Sequence, residues 1–128
     1  MRNFGVEIEL NSSDNRDFSK NPLQTGEFPE GFFDVVDLIS SLGFKVEPKS
    51  WHYTHNNRNW IVKTDSSCGI EICSPVLKET DSVIVLLDHL KDKKFQADNS
   101  CSFHIHFDFS DSSNYKIASI LSWWIKVE

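Results

Sequence analysis

A chain of 128 residues with 39% apolar and 25% charged residues, including ten Phe and four Trp, is sized for one domain with a real core and is too apolar for general disorder. The formal charge of −6 argues against a generic nucleic-acid surface, because the only basic knot, Lys91, Lys93 and Lys94, sits where a helix would end and cations complement its dipole. No apolar run approaches the ~20 residues of a membrane span. The cysteines Cys68, Cys73 and Cys101, odd in number and without CxxC spacing, point with the lack of a signal peptide to reduced thiols in a cytosolic protein.

"FGVEIEL" alternates, so Phe4, Val6, Ile8 and Leu10 face one way and Gly5, Glu7 and Glu9 the other. Residues 11 to about 27 are rich in turn formers and read as a loop. Phe32, Val35, Val36, Ile39 and Leu42 then recur at helical spacing, and Gly43 stands where a helix stops. "FKVEP", "SWHYTH" and "WIVKTD" read as short strands, with the turn "NNRN" before the last. "IEICSP" follows as another strand, ended by Pro75. A second helix is expected over 81–91, with Asp81 as N-cap and Val83, Leu86, Leu87 and Leu90 buried. "CSFHIHFDF" is a clear strand that turns Phe103, Ile105, Phe107 and Phe109 toward the core. A third helix begins near Ser112 or Ser113 and carries Ile117, Ile120, Leu121 and Trp124 inward. Its pattern, "KIASILSWWIKVE", simply stops, without Gly, Asn or Pro to end it.

The hairpin-length gaps between residues 44 and 74 predict an α+β fold, with a mostly antiparallel sheet and helices packed on one face. The opposite face would carry Glu7, Glu9, Glu71, His104 and His106, with Ser102 and Asp108 on the same side of the last strand. Carboxylates gathered without cations repel one another unless a divalent ion neutralises them, and oxygen donors suit magnesium or manganese. Histidines two apart on a strand project in parallel and can bind phosphate, complete a metal shell or position a carboxylate. Singly, each pattern also fits a plainer reading. ExE and HxH can be a solvated face, Cys73 and Cys101 buried small hydrophobes, and His52, His55 and His89 surface residues. Zinc held by His104, His106 and the cysteines is a further alternative, although the cysteine spacing fits no structural zinc framework.

Taken in order, "FGVEIEL", "WIVKTDSSCGIEICSPVL" and "CSFHIHFDFS" resemble the amidoligase family of carboxylate–amine ligases, which is related to glutamine synthetase and glutamate–cysteine ligase. The family pattern opens with ExE on a strand. It continues through W-x-V-x-x-D-x-S and G-x-E-x-x-S-P, then a Cys- or Gly-rich lead into HxH. The resemblance runs from Phe4 to Glu128. It implies a glutamine-synthetase-like catalytic domain, with residues 1–128 as the N-terminal portion, because relatives are commonly longer and carry further basic residues in a C-terminal half. It also implies ATP and Mg2+ or Mn2+ as cofactors, and small-molecule or peptide carboxylates and amines as substrates, joined through an acyl phosphate. By position, Glu7, Glu9, Glu71 and His104 would hold metal, and Lys63, His104 and His106 would bind nucleotide phosphate. Asp65, His104 and Glu71 would be catalytic, with Asp65 orienting or deprotonating the amine. Ser67 and Ser74 match motif positions, and Ser66 replaces the Gly that relatives carry after the loop aspartate. Cations for the site are scarce: Lys63 is the main candidate, then Arg2 and Arg58. Two alternatives stay open, a metal-dependent hydrolase and a truncated, non-catalytic relative that binds metal or nucleotide.

Overall fold

The computed structural model describes residues 2–11, 28–49, 58–65, 68–93, 95–110, 113, 116, 118 and 119. Five strands and two helices follow in the order β1 (Phe4–Asn11), α1 (Phe32–Ser41), β2 (Val46–Lys49), β3 (Trp60–Asp65), β4 (Gly69–Cys73), α2 (Asp81–Asp92) and β5 (Phe103–Phe107). The strands form one sheet in the order β2-β3-β4-β1-β5. The first and last motif strands are neighbours: β1 lies between β4 and β5, antiparallel to each, with Glu9 opposite Glu71 and Glu7 opposite His104.

The fold is α+β as expected, but the sheet is mixed rather than mostly antiparallel, because β2 joins β3 in parallel, Lys49 beside Lys63. Parallel neighbours require the chain to return to its starting end instead of turning back in a hairpin. Residues 50–59 separate the two strands. The strand expected at "SWHYTH" falls in this stretch and lies outside the described residues, as do most of the loop expected at 11–27 and the residues Ile117, Ile120, Leu121 and Trp124 of the third helix. Of that helix, Lys116, Ala118 and Ser119 are helical and exposed.

Alternation and helical spacing build the core directly. Phe4, Val6, Ile8 and Leu10 of β1 are buried with Val62, Ile70 and Ile72, and Phe32, Val35, Leu38 and Ile39 of α1 and Val83, Leu86 and Leu90 of α2 complete the same cluster. Both helices thus cover one face. Gly43 ends α1 with φ 84°, a left-handed conformation that side chains disfavour. Three details differ from expectation. Leu87 is exposed, Leu38 is buried in its helix's inner face, and Thr80 rather than Asp81 holds the N-cap position of α2, leaving Asp81 in the first turn. Lys91 sits in the last turn of α2, as its charge favours.

The largest departure concerns β5. Phe103, Ile105 and Phe107 are exposed at 48%, 49% and 55%, not buried under helices. The reason is position: β5 is the edge strand, and the buried residues of α1 and α2 meet the strands inward of it. No helix among the described residues is long and apolar enough to cross a membrane. Because Ile72 is fully buried between Ile8 and Val62, Ile72→Ala is expected to cost about 2–5 kcal/mol in urea unfolding. Ile84→Ala, at a residue 54% exposed, should stay within about 0.5 kcal/mol. Equal losses would contradict this assignment of the core.

Candidate functional site

The sheet face away from the helices is built from cross-strand rows. Starting at β2, one row runs Lys49, Lys63, Glu71, Glu9, and the next runs Glu47, Ile61, Cys73, Glu7, His104. His106 stands one step further along β5, opposite Gly5. Residues two apart on a strand share a face, and the adjacency of β4, β1 and β5 brings the acids of ExE, the Glu of "GIEIC" and HxH together on it.

Glu7 is the meeting point. Its Oε2 lies 3.2 Å from His104 Nδ1 and 3.2 Å from His106 Nε2. On the other side, Glu7, Glu71 and Cys73 offer ligand atoms that all lie within 4.8 Å of one another, and the same holds for Glu7, His104 and His106. Partial burial by itself would push the Glu7 carboxyl up. The hydrogen bonds to His106 and His104, with the nearby charges of His106 and Lys63, outweigh it and hold Glu7 below its ordinary value.

Glu71 is buried and bonded twice. Lys63 Nζ lies 3.1 Å from its Oε1, and the Cys73 thiol donates to the same oxygen at 3.2 Å. Burial tends to lower the Lys63 ammonium's pKa, but its neighbours Cys73, Glu71 and Glu7 raise it overall, so Lys63 stays charged. Burial and the Glu71 charge push Cys73 well up, which keeps it a protonated thiol able to donate. The site is therefore closed over β3 and β4, where Ile61 and Cys73 are 1% and 0% exposed, and open at β5. A merely washed polar surface would be exposed throughout.

Other expected residues take supporting places. Glu9 shares the face, but its Oε2 accepts the Ser102 amide at 2.7 Å and it belongs to neither convergent group. Asp65 ends β3 on the same face, where its Oδ1 accepts the Cys68 amide at 3.2 Å across the turn. Ser74 holds the end of β4 to β1: its Oγ accepts the Val6 amide and donates to the Pro75 carbonyl, each at 2.8 Å. Arg2 donates to the Asp108 carbonyl and lies over the Phe109 ring, Arg58 is exposed, and Ser66 and Ser67 lie outside the described residues. The three cysteines are free thiols, with Cys101 half-buried rather than fully buried. His89 is exposed, its Nδ1 near the Val85 carbonyl, while His52 and His55 lie outside the described residues.

Two residues hold places at the site that the sequence reading did not give them. Cys73 is one; "GIEIC" already put it two residues from Glu71 on the same face, but a lone Cys reads first as a small apolar residue. Lys49 is the other, brought beside Lys63 by the parallel pairing that loop lengths did not announce. It pairs with Glu47 at 2.8 Å.

The donor chemistry suits a divalent cation: Glu7, His104 and His106 supply one carboxylate and two imidazoles, and Glu71 lies alongside but already carries the Lys63 ammonium. Folding favours the charged form of Glu7, so that contribution is complete above its ordinary value of 4.5 and is lost as pH falls through the lower folded value. Wild type should therefore lose stability relative to Glu7→Gln as the pH falls into that acid range, measured by urea unfolding at a series of pH values. A difference independent of pH would contradict the ion-paired geometry.

No curated protein and no solved structure matches the chain. The sequence profile of one family, described as "putative amidoligase enzyme", matches residues 1–128, the whole length. The chain therefore belongs to the amidoligase family.

Proposed function

We propose that this chain carries the metal- and nucleotide-binding face of an ATP-dependent carboxylate–amine ligase that works through an acyl phosphate. The observation that carries the reading is the convergence of two imidazoles on one Glu7 oxygen, with Glu71 and Lys63 paired beside it. Family membership supplies the ligase class. The glutamine-synthetase-like architecture is part of the proposal, supported by a sheet that has α1 and α2 on one face and Glu7, Glu9 and Glu71 on the other.

Glu7, His104 and His106 would hold the cation. Two imidazoles make a softer set than the all-oxygen shell magnesium prefers, so of Mg2+ and Mn2+ the latter is the better match. The bound ion would screen the triphosphate and align its terminal phosphoryl group. The chain's own residues do the rest. Lys63, charged and fixed by Glu71, neutralises phosphate oxygens, with Lys49 one strand further out, about 4.8 Å away. Glu71 keeps Lys63 in place, and Glu9, tied to the Ser102 amide, fixes β5 against β1 at the site. The substrate carboxylate attacks the γ-phosphorus and ADP leaves; the amine then attacks the acyl carbon, phosphate departs, and Asp65 receives the amine's proton.

The test is nucleotide turnover by the whole chain with Mn2+ and a panel of carboxylates, with hydroxylamine added to trap an acyl phosphate as hydroxamate. ADP and hydroxamate should form together, each only when a carboxylate is present. Glu7→Gln should weaken Mn2+ binding by about 10–100-fold in calorimetry. Cleavage of an amide without nucleotide would favour the metal-dependent hydrolase instead, and metal binding without any turnover would favour a non-catalytic binding module.

A further inference from the structure

The two edges of the sheet are built differently. At one edge β2 is short, carries Glu47 and Lys49, and contains Pro48, which has no amide hydrogen to offer a neighbour. Such features keep a sheet edge from pairing with another chain. The β5 edge has none of them. Phe103–Phe107 contains no proline, acid, lysine or arginine, and Phe103, Ile105 and Phe107 are about half exposed.

Backbone register settles which groups the β5 edge presents. Glu9 donates its amide to the Ser102 carbonyl at 3.1 Å, and Asp108 donates its amide to the Asn3 carbonyl at 2.9 Å. With Glu7 opposite His104 and Gly5 opposite His106, the residues of β5 that bond to β1 alternate with those that do not. The amides and carbonyls of Phe103, Ile105 and Phe107 therefore point away from β1. Among the described residues no strand pairs with that edge.

The sequence of this strand, FHIHF, reads the same in both directions about Ile105. An antiparallel copy centred on Ile105 sets Ile105 opposite Ile105, Phe103 opposite Phe107, and His104 opposite His106. Its hydrogen-bonded positions are Phe103, Ile105 and Phe107, the residues whose backbone groups face outward. Charge agrees with this register, because Asp108 falls opposite Ser102 of the other copy rather than opposite another acid. A two-fold interface requires a surface that complements itself in this way.

We propose that β5 pairs with β5 of a second copy about a two-fold axis at Ile105, joining two five-stranded sheets into one. The pairing lies in the plane of the sheet, so both polar faces are on the same side and the Glu7 sites stay open above it. His104 of each copy then stands beside the partner's His106, which makes the two Glu7–His104–His106 groups neighbours across the axis. On the opposite face the apolar side chains of both strands form one continuous row. Three half-exposed side chains and a five-residue ladder per copy make an interface below about 1,000 Å², so the dimer is weak and reversible. This pairing needs neither metal nor nucleotide, and it holds whether or not the chain is a ligase.

Sedimentation velocity of the whole chain over a concentration series tests the pairing. A monomer–dimer equilibrium with a Kd on the order of 1–100 μM is expected. Ile105→Pro removes an outward amide, and Ile105→Lys sets a charge on the edge. Each should weaken dimerisation at least about tenfold while thermal unfolding stays cooperative, and the lysine substitution decides the matter if the proline one prevents folding. In a Cys101→Ser background, Ile105→Cys should form an intermolecular disulfide under mild oxidation, because the paired Cα atoms would lie about 5.5 Å apart. Phe103→Cys should not, because its equivalent would stand roughly 14 Å away along the strand. A chain that stays monomeric throughout the series, a dimer indifferent to both Ile105 substitutions, or equal crosslinking at positions 103 and 105 would overturn the pairing.

Discussion

Carboxylates cannot be packed side by side on a sheet without something to hold their charge, and that constraint organises this protein. Strand pairing fixes Glu9 opposite Glu71 and sets Glu7 one step along the same face, where each would repel the others. Each is answered by a different group. Lys63 neutralises Glu71, two imidazoles share an oxygen of Glu7, and the Ser102 backbone amide takes Glu9. These answers come from β3 and β5, the strands flanking the pair that carries the acids, so the strand order of the sheet is what makes the cluster tolerable. The apolar face has the complementary task. By burying Val6, Ile8, Ile70 and Ile72 under both helices, it fixes the register on which every polar contact depends.

The same arrangement makes the site asymmetric. Over β4 it is buried and rigidly bonded, with Glu71 shared between Lys63 and the Cys73 thiol. Over β5 it opens, and His104 and His106 are half or more exposed. A ligand can approach from the β5 side, where the imidazoles meet solvent and where Gly5 leaves space. Cations are confined to one side of the face: Lys63 and Lys49 lie on β3 and β2, beside Asp65 and Glu47, while Glu7, Glu9, Glu71 and the histidines lie on β1, β4 and β5. On the proposed reading, that order would set the metal ligands beside the lysines, the polarity that a metal-linked polyphosphate would need.

Much of this was legible in the sequence because a strand's period is two. Once Val6 and Ile8 face inward, Glu7 and Glu9 must face outward, and the same logic fixes Glu71 with Cys73 and His104 with His106. Convergence of these strands followed from motif order and resemblance. What alternation cannot supply is the neighbour of each strand. The parallel pairing of β2 with β3, and with it the position of Lys49, depends on a connection whose path no local pattern records. Edge position was equally hidden: Phe103, Ile105 and Phe107 carry a core pattern but stand beyond the reach of α1 and α2. Roles within the cluster also needed coordinates, since spacing treats Glu7 and Glu9 alike, whereas only Glu7 joins both convergent groups. Asp65 shows the same limit, because its place in the motif does not reveal that one of its oxygens holds the Cys68 amide.

The central claim is that Glu7, His104 and His106 together hold a divalent cation. Pulsed electron paramagnetic resonance of Mn2+ added to the whole chain tests it most directly, because imidazole nitrogens bound to manganese leave a nitrogen coupling in the echo. The account predicts a stoichiometric Mn2+ signal with that coupling, reduced in His106→Ala and absent when His104 and His106 are both replaced by alanine. Mn2+ that binds with no nitrogen coupling, or that binds equally well without either histidine, would contradict it.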